Sequence, residues 1–397
     1  MQERLIKLKG FSMKLIIYIL KFFAKILAYL DLNHVVPGYL LLKLSDNPYK
    51  YFPIEDKIII FITGTNGKTT TTNYLYRLFN SYDPGVPIYA NTRGNNLEQG
   101  ILSNFIKNMS LKGSTEMFIF EVDEKTYVKL IKKGLVPDFL LLLNFSKDQV
   151  ERNGLPNELL NEILELSKNK ETEFKGKTHP LIVLINEDII TKFDPDLEGL
   201  KSFIIRNDQV NDYEGLNPEL IKAVDSSITN IFTEYDKNNA YFAFNSFIYI
   251  LKKLGLDINK NFSLKAFDDS LKVAGRMEPF EIAGYKTVLN LAKNEVGLKK
   301  TIKAFEKFNL LTKTHYSLYI DLGNKGQDGK DLSWAYDYDY SKTYFKEVII
   351  SSPGDRKPID FSKPQLFIAN YSRLYSLRRK LIKAEKQTKF LENKSFS

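Results

Sequence analysis

Residues Lys57–Thr70 read KIIIFITGTNGKTT. The first half, Lys57 to Thr63, is a run of β-branched and aromatic residues with no charge after Lys57, the signature of a strand buried on both faces of a parallel sheet. It breaks at Gly64-Thr65-Asn66-Gly67-Lys68-Thr69-Thr70, after which Thr69 to Asn80 reads as a helix. Strand, glycine turn and Lys-Thr at a helix start form a phosphate cradle: glycines let the backbone wrap an anion, and the helix N-terminus adds N–H donors and partial positive charge. Lys68 is positioned for the outer phosphates of a nucleotide, and Thr69 offers a hydroxyl to Mg²⁺. The spacing differs from the general G-x-x-x-x-G-K-[ST] loop, because Gly64 stands only three residues before Gly67.

Outward from this stretch, Met117–Val122 (MFIFEV), Phe139–Asn144 (FLLLLN) and Leu181–Asn186 (LIVLIN) repeat the pattern of an apolar run, the first and last closed by a polar residue within one step and the middle one by Asn144 itself. Alternation of such strands with helical segments predicts an α/β, doubly wound, mostly parallel sheet, whose ligands sit beyond the carboxyl ends of its strands. Glu121, Asn144 and Asp148 therefore belong near the phosphates. Ala274–Pro279 interrupts the pattern, and Thr287–Leu291, His315–Leu322 and Val348–Ser351 start a second alternation. The expected division is a lead-in over 1–55, an ATP-binding domain over 56–273 and a smaller Rossmann-like α/β domain over 274–397. From Arg373 the chain reads as a basic helix fading into a frayed tail.

Composition narrows the function. The 397 residues contain no cysteine, so neither a disulfide nor a thiolate metal site is available, and 57 Lys and Arg against 48 acids give a net charge of +9. The lysines are spread along the chain without an arginine block, which argues against nucleic acid and leaves phosphorylated substrates or an anionic surface. Phe11–Leu32 is apolar but interrupted by Lys14, Lys21 and Lys25, and its longest uncharged run is far short of the roughly 20 residues that span a bilayer. The lysines at i, i+7 and i+11 share one helical face, opposed by Leu, Ile, Phe and Tyr; this describes an interfacial helix, or equally one packed on the protein's own body. No cleavage site follows, so the catalytic body is expected in the cytoplasm, with peripheral membrane contact through this helix.

The TGTNGKTTT variant of the loop resembles the Mur ligase family, and a series of further stretches resembles its MurT branch in order along nearly the whole chain. These are Pro37–Leu44 (PGYLLLKL), Glu121-Val122-Asp123-Glu124, Asn144–Gly154 (NFSKDQVERNG), Gly275-Arg276-Met277-Glu278, Ala292–Gly297 (AKNEVG) and Asp328–Asp339 (DGKDLSWAYDYD). The resemblance implies a ligase that activates a carboxylate with ATP and Mg²⁺ as an acyl phosphate. It gives Glu121, with Thr69 and Asp148, to the metal; Asn239 to the nucleotide; Arg276 to the γ-phosphate; and Asp321, assisted by Asn324, to the ribose. Gln149 stands where many Mur ligases have a metal-binding His.

For the MurT branch the implied substrate is the D-glutamate α-carboxylate of a lipid-linked cell-wall precursor, amidated with ammonia from a GatD-like class I glutaminase. Asp337 is then the carboxylate lent to that partner's Cys/His pair, with Asp331 and Asp339 as competitors. Two departures matter. Phe193–Phe232, where the branch carries a four-cysteine zinc ribbon, has no cysteine, so no zinc is expected, and Asn186-Glu187-Asp188-Ile189 replaces the usual N-x-D-D-P turn. Two alternatives remain: a Mur-type ligase that adds an amino acid to another wall polymer such as pseudomurein without a glutaminase, and a catalytically idle nucleotide-binding scaffold.

Overall fold

The computed structural model describes residues 2–29, 35–92, 95–145, 155–174, 177–229, 231, 234–260, 262–267, 275, 277–292, 294–312, 316–324 and 332–395. The chain divides into two compact units, Met1–Asp268 and Asp269–Ser397.

The first unit contains α1 (Gln2–Tyr29), α2 (Val36–Leu44), β1 (Lys57–Thr63), α3 (Lys68–Tyr82), β2 (Ile88–Ala90), α4 (Glu98–Asn108), β3 (Glu116–Glu121), α5 (Glu124–Lys132) and β4 (Phe139–Leu142). It continues with α6 (Pro156–Ser167), a β5–β6 hairpin (Glu171–Phe174, Lys177–Pro180), β7 (Ile182–Asn186), α7 (Glu187–Phe193), β8 (Lys201–Ile205), α8 (Pro218–Thr229) and α9 (Glu234–Lys253). Six strands form one sheet in the order β2-β3-β1-β4-β7-β8, and every pairing in it is parallel.

All seven residues of β1 are buried, as its unbroken apolar run requires. The period of two sorts the strand side chains onto the sheet's two faces. Ile59, Phe61, Phe118, Phe120, Leu140, Leu142, Val183 and Ile185 join one core with residues of α1, α4, α5 and α6. Ile58, Ile60, Ile62, Met117, Ile119, Leu141 and Leu184 join another with α3, α8 and α9. Both faces are thus covered, which is the expected doubly wound arrangement. Because β3 and β4 flank β1 on opposite sides, strand order switches at β1, and the crevice at its carboxyl end is where such sheets bind ligands.

Helix α1 has one apolar face in the core and another exposed. Ile17, Leu20 and Ala24 are buried in the core, whereas Leu15, Tyr18, Ile19, Phe22 and Ile26 are exposed. The expected lysine stripe is incomplete: Lys14 and Lys25 are exposed, but the Lys21 ammonium turns inward and donates to the Met109 carbonyl at 2.6 Å. Burial lowers the pKa of Lys21. No described helix is long and apolar enough to cross a membrane.

The second unit contains β9 (Glu278–Ile282), β10 (Tyr285–Leu291), α10 (Glu295–Thr312), β11 (Ser317–Asp321), β12 (Val348–Ser351), β13 (Gln365–Ala369) and α11 (Tyr371–Ser395). Its sheet runs β12-β11-β13-β10-β9, parallel except for the β9–β10 hairpin. This is the smaller α/β domain expected from the second alternation. Helix α11 begins two residues before Arg373 and runs to Ser395 rather than fraying early. Its Leu374, Leu377, Leu381 and Ala384 recur on one stripe and are buried against the sheet, which holds the helix despite its basic outer face.

Candidate functional site

The loop between β1 and α3 is shaped by two glycines and one asparagine. Gly64 has φ +130°, and a Cβ there would lie 2.8 Å from the Asn144 carbonyl, so only glycine fits against the β4 end. Gly67 has φ +86° and caps α3. Asn144, just beyond β4, clips the loop by three bonds. Its carbonyl accepts from Thr65 N–H at 2.8 Å, its Oδ1 accepts from Asn66 N–H at 3.1 Å, and its Nδ2 donates to the Asn66 carbonyl at 2.9 Å. Asn144, which the sequence places near the phosphates, holds the loop itself, because both of its amide groups are taken by Asn66.

Lys68 opens α3. Its ammonium donates to the Gly64 carbonyl, to the Thr65 carbonyl at 3.3 Å and to Glu124 Oε1 at 3.1 Å. Burial alone lowers a lysine pKa, but the Glu124, Glu121 and Asp123 carboxylates together outweigh it and hold Lys68 above its ordinary value. The lysine is therefore a fixed cation in a glycine-lined loop.

Thr69 and Glu121 meet beneath the loop, with the Thr69 hydroxyl donating to Glu121 Oε2 at 2.7 Å. Glu121 closes β3, and its backbone N–H donates to Asn91 Oδ1 at 2.7 Å while its carbonyl accepts from Asn91 Nδ2 at 2.8 Å. Asn96 Nδ2 donates to Glu121 Oε1 at 2.9 Å. A hydroxyl and a carboxylate this close are donors of the kind that hold Mg²⁺ beside phosphate oxygens. Among the described residues no group of three or more His, Cys, Asp or Glu is arranged to hold a metal.

Asn239, on α9, is buried, and its Oδ1 accepts from the Thr71 hydroxyl at 3.5 Å. Its Nδ2 has no partner among the described residues. A buried amide donor left open beside α3 points to an absent acceptor. In the second unit, Asp321 ends β11 fully buried, and its Oδ1 is held by Arg356 at 2.7 Å and Arg373 at 3.0 Å. Asn324 is exposed. Asp337 is exposed and its side chain has no partner among the described residues, whereas Asp339 is committed locally, to Ser341 N–H at 3.2 Å and Lys342 at 3.0 Å. Arg276, Asp148 and Asp331 lie outside the described residues.

Glu124, Asn91 and Asn96 were not singled out from the sequence. The signal for the last two is the asparagine cluster Asn91, Asn95, Asn96 between two apolar strands; Glu124 stands in the quoted Glu121–Glu124 stretch, but its role depends on how α5 returns to Lys68.

Residues 62–238 match the Mur ligase middle domain. Over that stretch the chain is similar to the Mur ligases. It is 27% identical over 352 residues to the MurT subunit of the glutamine-hydrolyzing lipid II isoglutaminyl synthase of Staphylococcus aureus N315, covering 79% of this chain and 78% of that one. The MurT subunit of Streptococcus pneumoniae R6 is 23% identical over 365 residues, covering 80% and 78%. Among solved Mur ligases, MurF from Thermotoga maritima, in complex with ADP, superposes with a TM-score of 0.54 at 15% identity, covering 88% of this chain and 84% of that one. That likeness shows the shared fold. The matched residues include the loop that Gly64, Asn144 and Glu124 hold in place.

Proposed function

We propose that the chain is the ATP-dependent ligase subunit of an amidotransferase. It would activate the D-glutamate α-carboxylate of a lipid-linked wall precursor as an acyl phosphate, which ammonia from a GatD-like glutaminase then converts to the amide. The observation that carries the ligase half is the Thr69–Glu121 contact at 2.7 Å under a loop that presents the Lys68 cation. The matched MurT subunits, named for a glutamine-hydrolyzing synthase acting on lipid II, support the substrate and the partner.

In this reading ATP would supply the phosphoryl group, and Mg²⁺, held by Thr69 and Glu121 with Asp148, would offset the charge of its phosphates. Gly64, Thr65, Asn66, Gly67 and Thr70 would wrap those phosphates, and Lys68 would neutralise charge on the phosphoryl group in flight. Asn239 Nδ2 donates to the nucleotide, which gives its orphaned hydrogen an acceptor. Arg276 meets the γ-phosphate. Asp321, whose Oδ1 is held by Arg356 and Arg373, would take a ribose hydroxyl, assisted by Asn324. Asp337 serves the glutaminase, because it is exposed and uncommitted while Asp339 is tied to Ser341 and Lys342. Catalysis would take place at the cytoplasmic face of the membrane, with peripheral contact through α1.

The test uses precursor labelled with ¹⁸O in the α-carboxylate, together with ATP, Mg²⁺ and free ammonia. Transfer of one label into inorganic phosphate, with formation of the primary amide, is expected. Label transfer only when a free amino acid replaces ammonia would favour the wall-polymer ligase, and absence of substrate-dependent ATP turnover would leave a scaffold.

A further inference from the structure

The outer face of α1 and the exposed residues of α2 carry more apolar surface than a soluble protein normally shows to water. On α1, Leu15, Tyr18, Ile19, Phe22, Phe23 and Ile26 are exposed, Phe22 by 69%. On α2, which packs on α1, Tyr39, Leu40 and Leu44 are exposed, Leu44 by 58%. Scattered exposed apolar residues need no explanation; nine on two adjoining helices do.

Helical geometry orders these residues. At about 100° per residue, the six exposed apolar residues of α1 fall within an arc of about 140°, and the core residues Ile17, Leu20 and Ala24 lie roughly opposite. Lys14 and Lys25 fall together on the flank between the two arcs. Their ammonium groups therefore sit at the border between the face seated on the protein and the face left open. On α2, Lys43 lies over the Tyr39 ring at 5.4 Å. The described parts of this surface, residues 13–27 and 36–44, contain no Asp or Glu.

We infer that α1 and α2 together form a seat for an anionic lipid bilayer. The apolar arc enters the headgroup–acyl boundary, Tyr18, Phe22 and Tyr39 lie at interfacial depth, and Lys14, Lys25 and Lys43 reach lipid phosphates at the rim. A protein partner fits less well, since the centre of a protein interface is depleted in lysine and balanced by acids. The inner face of α1 fixes the helix to the core, so the bound body stands at a set height with the helix lying flat. The inference rests on the membrane-face reading above and gives it a surface, a depth and a lipid class.

The full chain is tested by co-sedimentation with vesicles of phosphatidylcholine alone and of phosphatidylcholine with phosphatidylglycerol, without ATP or precursor. The expected result is binding to the anionic vesicles that falls more than tenfold in neutral ones, and more than tenfold in Lys14→Glu/Lys25→Glu. Ile19→Glu/Phe22→Glu should lose vesicle binding while keeping its melting temperature and ADP affinity, because both side chains point to water. Equal vesicle binding by that variant would overturn the inference. So would a wild-type chain that ignores anionic vesicles, or one that forms a dimer by light scattering that Ile19→Glu/Phe22→Glu abolishes. Since no ligase step is measured, failure here leaves the amidating reading intact, and failure of that reading leaves this one standing.

Discussion

The Lys68 ammonium lies 3.1 Å from the Glu124 carboxylate, and the two side chains are only 11% and 5% exposed. Without nucleotide, the loop's cation is thus already neutralised by an acid on the first turn of α5. An arriving phosphate must share or take that cation. Glu124→Gln removes the competing charge, so ADP binding should tighten by about tenfold, or 1.4 kcal/mol, read by calorimetry. Weaker binding would mean instead that Glu124 holds Lys68 in its binding position.

Lys68→Ala should lower ATP turnover by about a thousandfold, the scale of losing one strong electrostatic contact to a reacting group. It should also lower the melting temperature, because Glu124 is left buried without its counter-ion. The double variant Lys68→Ala/Glu124→Gln should recover that stability but none of the turnover. Recovery of both would remove Lys68 from the chemistry.

Asn144→Asp keeps an acceptor for Asn66 N–H but loses the donor to the Asn66 carbonyl. Nucleotide affinity should fall by roughly 1–2 kcal/mol, with the sheet intact by circular dichroism. Unchanged affinity would show that the loop holds its shape without the clip.

Asp337→Asn should abolish glutamine-dependent amidation while activity with free ammonia stays within about twofold, the ATP site being untouched. Loss with both nitrogen sources would place Asp337 in the ligase chemistry or in the fold. Full activity with glutamine would move the role to Asp331 or Asp339.

The buried Asp138 ties three parts of the first unit together. Its Oδ2 accepts from Ile59 N–H on β1 at 2.6 Å, and its Oδ1 faces His179 of the hairpin at 3.2 Å. The hydrogen bond to Asp138 raises the His179 pKa against the lowering effect of burial. A raised folded pKa contributes stability that is complete below the unfolded value and is lost as pH rises through the folded one. His179→Asn should therefore lower the melting temperature at pH 5.5 more than at pH 9. An equal drop at both would mean that the charged form adds nothing.

The sequence was legible where one local rule decided the outcome. Lys57–Thr63 is β1 residue for residue, because a β-branched run ending at Gly64 has few other fates. Strands β2, β5, β6, β8, β9 and β13 went unread: Ile88–Ala90, for one, is only three residues long, and Gln365–Ala369 lies in a stretch whose period is broken by Pro364 and the turn before it. The phosphate loop was legible for the same reason as β1, since glycine spacing and Lys-Thr are adjacent in the chain. Glu124 and the clip by Asn144 were not, because each acts across a parallel pairing that no local period records. Lys21 shows the same limit: its place in the stripe was right, but a carbonyl from α4 turned it inward.

The Asn144 clip has a consequence for synthesis. Asn66 and Asn144 are separated by 78 residues, and β1 pairs with β4 in parallel, so the loop gains its brace only after a long crossover has been made and docked. A nascent chain that has exposed Gly64–Thr70 but not yet Asn144 carries the complete loop sequence without the structure that shapes it. Nucleotide capture should begin abruptly once the ribosome has released residues beyond β4, and chains stalled before that point should bind none. Order of emergence, as much as composition, decides when this loop becomes a site.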